Sequence, residues 1–219
     1  EFAAYGTCAI TAPIYQTGTE RFMVKQDQVS AYGSTELTLR GGGSFAGPVL
    51  FGPTNTTWRK LVVEGAPIIQ PTLGKRDYGF KFNGKTELHL KNQDNRMYIE
   101  LGATSQGTGS SLHCWTNDVL NYQCDIILGY GSTMDLHGFD QQVGDLQTGT
   151  WGRIRSAEPA TLLAFYDDGN GKTWGVNAGI DGAVTFRKSG PKSLTITGTN
   201  MTTGALVAFA GPLVPGATG

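Results

Sequence analysis

The chain has 219 residues, 39% of them hydrophobic, with 17 basic and 18 acidic side chains and a formal net charge of −1. No basic stripe stands out of the kind that supplies affinity for phosphates, so nucleic acid is not an expected partner. No apolar run reaches the roughly 18 residues of a membrane helix, so no membrane insertion is expected, and the size suits one large β domain.

The first residues, "EFAAYGTCAI", carry no basic leader and no long apolar stretch; an exported form is expected to have lost its signal already. Period-two alternation then recurs. "TELTLR" sets Leu37 and Leu39 on one face, "YGFKFNG" does the same with Tyr78, Phe80 and Phe82, and "TELHLKN" points Leu88 and Leu90 inward with Glu87, His89 and Lys91 outward. "RMYIELG" and "SLTITG" alternate likewise. "KLVVEG", "DIILG", "TLLAFY" and "ALVAFAG" are short continuous apolar runs, expected as strands buried on both faces. The 32 glycines, with clusters of Pro, Asn and Asp, punctuate these runs. The Asn-Gly pair of "FKFNGKTEL" predicts a hairpin. "TLLAFYDDGNGKTWGVNAGIDGAVTF" predicts a three-strand meander with turns at "DDGNG" and "IDG". A single short helix fits only between Cys114 and Cys124, with Asn117 or Asp118 as its cap. The pattern predicts an all-β protein, an antiparallel β-sandwich or jelly-roll. It forms one domain over residues 1–211, and "PLVPGATG" (212–219) reads as a linker-like tail.

Three cysteines permit one disulfide. Cys114 and Cys124 bracket "WTNDVLNYQ" and are expected to close a short ring, worth about 2–3 kcal/mol in the chain-entropy account. Bridges from Cys8 to either partner remain open, and buried free thiols are a further alternative. A zinc site would recruit His113, Cys114, Cys124 and His137. It lacks a CxxC or HxxxH pair, so no metal and no cofactor are expected.

The loop between the two cysteines supplies Trp115, Asn117, Asp118, Asn121 and Tyr122. Aromatic faces pack against the apolar faces of sugar rings, and Asn and Asp bond in fixed directions, so these five are the candidate ligand-binding residues. The alternative is that Trp115 and Tyr122 cover the core and the polar residues form turns. "GNGKT" lacks the earlier Gly of a phosphate loop. Asp167, Asp168 and Asn170 offer oxygens for calcium without the full ligand spacing. Asn55 and Asn200 stand in glycosylation sequons. Asp135, His137, Asp140 and Asp145 form a polar stretch without a recognisable catalytic pattern, and no nucleophile motif occurs.

The early Cys of "EFAAYGTCAI", the Gly/Thr-rich body with its tight Cys pair and the terminal "LVPGATG" resemble the N-terminal receptor-binding domain of a bacterial fimbrial tip adhesin. The resemblance implies an immunoglobulin-like or jelly-roll lectin domain. It also implies export through the periplasm, extracellular display at the fimbrial tip on the cell surface, and a C-terminal pilin domain with pilus subunits as partners. Binding would be to a host glycan or cell-surface receptor, without catalysis. Cys8 departs from the family in having no near cysteine neighbour, and no binding residue is carried over. The alternatives are a polysaccharide-active enzyme or carbohydrate-binding module, and a structural β protein of a pilus or coat.

Overall fold

The computed structural model describes residues 2–3, 7–25, 35–51, 59–71, 79–82, 85–102, 109–149, 151–165, 174–176, 179–191, 193–196, 201–211 and 213–215. Most of their strands are short, with Arg153–Phe165 and Gly179–Ser189 the long exceptions at 13 and 11 residues, but the chain does not fold back on itself. It coils. Each strand lies parallel to the strand one turn earlier and one turn later, which makes a parallel β-solenoid. Sheet I starts from Phe2–Ala3 and Phe22–Lys25 and ends at Leu213–Pro215. Sheet II runs from Cys8–Ile10 to Met201–Thr202, and the short sheet III joins Ile14–Gln16, Gly43–Phe45 and Ile68–Ile69.

The register shows how the sequence builds this coil. In sheet II, Cys8, Leu37, Leu61, Leu88, Leu112, Met134, Ile154 and Ile180 stack rung upon rung. The steps run from 20 residues (Met134 to Ile154) to 29 (Cys8 to Leu37). Two residues on, a second inward row contains Leu39, Val63, Leu90 and Cys114. Sheet I supplies matching rows, Val49, Phe80, Ile99, Ile126 and Leu146, then Phe51, Phe82, Leu101 and Leu128. All of these sheet I side chains are buried. Burying each large apolar one contributes about 1.5–3 kcal/mol, so the stacked rows are the main source of stability. Phe51 and Phe82 stack at 5.2 Å, and Phe45 meets Phe80 edge-on at 5.1 Å.

Polar ladders hold the corners. Asn95 is fully buried. Its Oδ1 accepts the Ile68 N–H at 2.9 Å and its Nδ2 donates to the Val119 carbonyl at 2.8 Å, so one amide ties three successive turns together. Asn92 reaches Ala66 in the same corner.

The antiparallel sandwich or jelly-roll, immunoglobulin-like, is therefore corrected: every described strand pair is parallel. Alternation decides which face of a strand is buried, but it says nothing about the direction of the neighbouring strand. The expected hairpin fails for the same reason. Phe80–Phe82 belongs to sheet I and Thr86–Leu90 to sheet II, while the Asn83-Gly84 pair lies outside the described residues. In the supposed meander, Arg153–Phe165 and Gly179–Ser189 are parallel neighbours in sheet II, and Trp174–Val176 lies in sheet I. Asp181-Gly182 sits inside the Gly179–Ser189 strand, where Gly182 (φ 73°) faces the register shift after Ser156. Between Cys114 and Cys124 the backbone makes turns, not a helix. "ALVAFAG" is not buried on both faces either, since Leu206 and Phe209 are exposed. Leu213–Pro215, within the expected tail, pairs with Leu194–Ile196.

The disulfide is corrected as well. All three cysteines are free. Cys114 fills the inward row in register with Leu90, where a small apolar side chain belongs. Cys124 is buried in the Asn95 corner, where its thiol donates to the Asn95 carbonyl at 2.8 Å and accepts the Met97 N–H at 3.3 Å. Each sulfur has its own place in the stack, and neither is spent on a bridge.

Candidate functional site

The outward face of sheet II carries its own row, in register between the two inward ones: Val62, His89, His113, Asp135, Arg155 and Asp181. Strands in a sheet lie about 4.8 Å apart, so like side chains on successive rungs stack. The His89 and His113 rings do so at 4.4 Å and 16°. Two residues beyond this row, where the strands end, Trp115 and His137 lie over each other at 4.0 Å and 12°. His137 reaches that position through left-handed backbone (φ 50°), followed by Gly138 (φ 83°).

Hydrogen bonds define the ring states. The Trp115 indole N–H donates to His89 Nδ1 at 2.9 Å, which makes that nitrogen the acceptor and leaves the proton on Nε2. Nε2 then donates to Glu87 Oε2, also at 2.9 Å. His113 Nδ1 meets His137 Nε2 at 2.9 Å, and His113 Nε2 meets Ser111 Oγ at 2.9 Å. Asp135 Oδ1 accepts the backbone N–H of His137 at 3.1 Å, and Oδ2 accepts Arg155 Nε at 2.8 Å. Burial pushes His113 down to about 4, helped by the two imidazoles beside it. Burial also lowers His89, against the pull of Glu87. At neutral pH these two rings are uncharged, and the lone pair of His89 is taken by the Trp115 indole N–H. His89, placed outward on its strand, is only 7% exposed because Trp115 and its neighbours cover it.

Of the five residues singled out in sequence, the structure brings Trp115, 40% exposed, into this cluster. The other four form the adjacent corner. Asn117 Oδ1 accepts the Asp140 N–H at 2.9 Å. Asp118 (φ 52°) donates its N–H to the Asp140 carbonyl and accepts the Asp94 N–H, linking three turns. Asn121 Nδ2 donates to Asp94 Oδ1 at 2.7 Å, and Tyr122, exposed, meets Phe165 edge-on at 5.9 Å. Sequence reasoning grouped His113 with His137 in the zinc alternative it set aside and Asp135 with His137 in a polar stretch, but did not join these to each other or to His89. The available signal was the pair "HCW" at 113–115 and "DLH" at 135–137, each alternating outward, inward, outward at the same place on successive rungs.

At the other end of the sheet II strands, Tyr130 and Trp151 are exposed. Trp151 stands two residues before Arg153 as Gly131 stands two before Thr133, and both have φ 65°. A bulky side chain thus occupies a backbone position that glycine fills one turn earlier. Between the two aromatic ends lie Ser111, Thr133, Arg153, Arg155 and Asp181, with Arg153 and Asp181 paired. The stretch of Asp167, Asp168 and Asn170 and the sequons at Asn55 and Asn200 lie outside the described residues.

No protein-family profile, curated protein sequence or solved structure matches the chain at a significant level.

Proposed function

We propose that the protein is a non-catalytic receptor-binding module that recognises a glycan along the outward face of sheet II. The observation that carries this reading is Trp115. Its indole is exposed on one side, stacked on His137 on the other and fixed at its N–H by His89. A flat apolar surface already immobilised loses little entropy when a sugar ring settles on it. The polar groups running toward Trp151 supply directional donors and acceptors of both signs, the usual complement to an aromatic platform. Trp115 and Trp151 stand six residue steps apart along the strand direction, about 20 Å at 3.3 Å per residue, which gives room for an oligosaccharide between the two aromatic ends. The fimbrial setting is not part of this proposal: the tight Cys pair among the features that carried the resemblance is two free thiols, and the sandwich it implied is replaced by the solenoid.

A glycan array probed with the intact chain, with Trp115→Ala and with Trp151→Gly tests it. Selective binding without release of reducing ends, lost or weakened at least tenfold in folded variants, is the expected result. Product release would make the protein an enzyme. Equal signals from all three proteins would end the reading.

A further inference from the structure

We propose that His113, Asp135 and His137 form a binding site for a divalent first-row transition ion of the zinc type. One donor atom from each lies within 4.8 Å of the other two. The closest pair, His113 Nδ1 and His137 Nε2, is 2.9 Å apart. Two nitrogens on one zinc, each at about 2.0–2.1 Å, sit about 3.3 Å apart at the tetrahedral angle, so these imidazoles need only part by about 0.4 Å and release the proton between them. Ligating histidines use the remaining ring nitrogen to hold their orientation. His113 Nε2 meets Ser111 Oγ at 2.9 Å, and His137 Nδ1 faces Asp135 Oδ1 at 3.6 Å.

The third ligand needs one small movement. Asp135 Oδ1 stays on the His137 backbone N–H while Oδ2 turns from Arg155 to the ion. The Arg155 side chain is more than half exposed and can swing into solvent, while the buried Asp135 carboxylate would exchange one cationic partner for another. Trp115 closes one side of His137 and leaves positions open for water or an oxygen ligand. The left-handed backbone of His137 is what turns its ring back toward His113. Such conformations persist where the surroundings over-determine them, often at functional sites. Two imidazoles and a carboxylate select zinc, nickel, cobalt or copper over calcium and magnesium. The adjoining trio of Glu87, His89 and His113 is the competing set. It is disfavoured because the indole N–H, a donor only, holds the His89 lone pair on Nδ1 and leaves Nε2 protonated toward Glu87, whereas Ser111 Oγ can donate or accept and suits either tautomer of His113. Nothing in this site depends on glycan binding.

The test is calorimetric titration of the tag-free, chelator-stripped protein with Zn²⁺, and visible absorption with Co²⁺. The expected result is one ion per chain with micromolar affinity or better, and a Co²⁺ spectrum of low coordination number. His137→Asn keeps a residue that tolerates left-handed backbone. It and Asp135→Asn should each weaken binding at least tenfold, while Glu87→Gln leaves it unchanged, with folding of every variant checked by circular dichroism. No binding of either ion at 100 micromolar would overturn the proposal. So would full binding by folded Asp135→Asn or His137→Asn, or loss in Glu87→Gln alone.

Discussion

The indole N–H of Trp115 donates to Nδ1 of His89 across 26 residues of sequence and one turn of the solenoid. The bond joins the exposed aromatic surface to a ring that is almost fully covered, and through it to Glu87. His89→Phe keeps a ring in the stack and removes both hydrogen bonds. We expect a loss of about 1–2 kcal/mol in urea unfolding, in the range for a hydrogen bond removed with its partner left behind. The indole proton of Trp115 should also exchange with solvent much faster, as read by NMR. Unchanged exchange would show that His89 does not hold the indole.

Asn95 binds its corner to the turns on either side. Asn95→Leu leaves the Ile68 N–H buried without its partner and takes one of two donors from the Val119 carbonyl, which keeps the Asn95 backbone N–H at 3.1 Å. The unmet Ile68 N–H costs about 1–3 kcal/mol and the hydrogen bond lost at Val119 about 0.5–1.5 kcal/mol, so the total expected is about 1.5–4.5 kcal/mol. The urea midpoint reads this directly, and a shift no larger than that of an exposed Gln123→Ala control would contradict the stapling role.

The thiols should divide in two by reactivity. Cys8 is half-buried and should react with a thiol reagent in the folded protein; Cys114 and Cys124 should react only after denaturation. Oxidant should leave no internal bridge, as intact mass will show. Burial pushes Cys124 up to about 12 from an ordinary value of 9.0. A raised folded value means that its stabilising contribution is complete below pH 9 and is lost as pH climbs toward 12. The slope is about 1.4 kcal/mol per pH unit for one such group. Cys124→Ala should flatten that alkaline loss by this amount. An identical alkaline profile would sink the assignment.

Trp151→Gly tests stability against function. Left-handed backbone costs a residue with a side chain about 1–2 kcal/mol, while glycine loses about 0.5–1 kcal/mol in chain entropy. The variant should be as stable as the parent, or more stable by up to about 1 kcal/mol, while glycan binding weakens. A large destabilisation would mean that the Trp151 side chain packs in a structural role.

Much of the burial pattern was legible in the sequence. Leu37 with Leu39, Phe80 with Phe82, and Leu88 with Leu90 are inward pairs because a pleated strand sends alternate side chains to one side. The strand direction was not legible, since the Gly, Asn and Asp that turn a solenoid corner also turn a hairpin. What separated the two was the return of an inward pair every 20 to 29 residues: Leu61 and Val63, Leu88 and Leu90, Leu112 and Cys114, Met134 and Leu136. Read that way, Cys114 is a core position. The candidate site escaped notice for the same reason, because His89, His113 and Asp135 become neighbours only once the turns are stacked. Trp115 was found from its local company, although that company proved to be the corner and not the cluster.

Parallel strands set one turn apart also bear on how quickly the chain can find its fold. Sheet proteins fold slowly when partners are remote along the chain. Here each strand in the sheet II ladder waits only for the strand 20 to 29 residues away, roughly a tenth of the 219-residue chain. That ratio belongs with helical bundles more than with sandwiches. A completed turn also offers its free edge as the template for the next. Assembly can therefore advance along the chain like a zipper from wherever the first two turns meet, and an all-β protein of this length gains the kinetics of a much more local one.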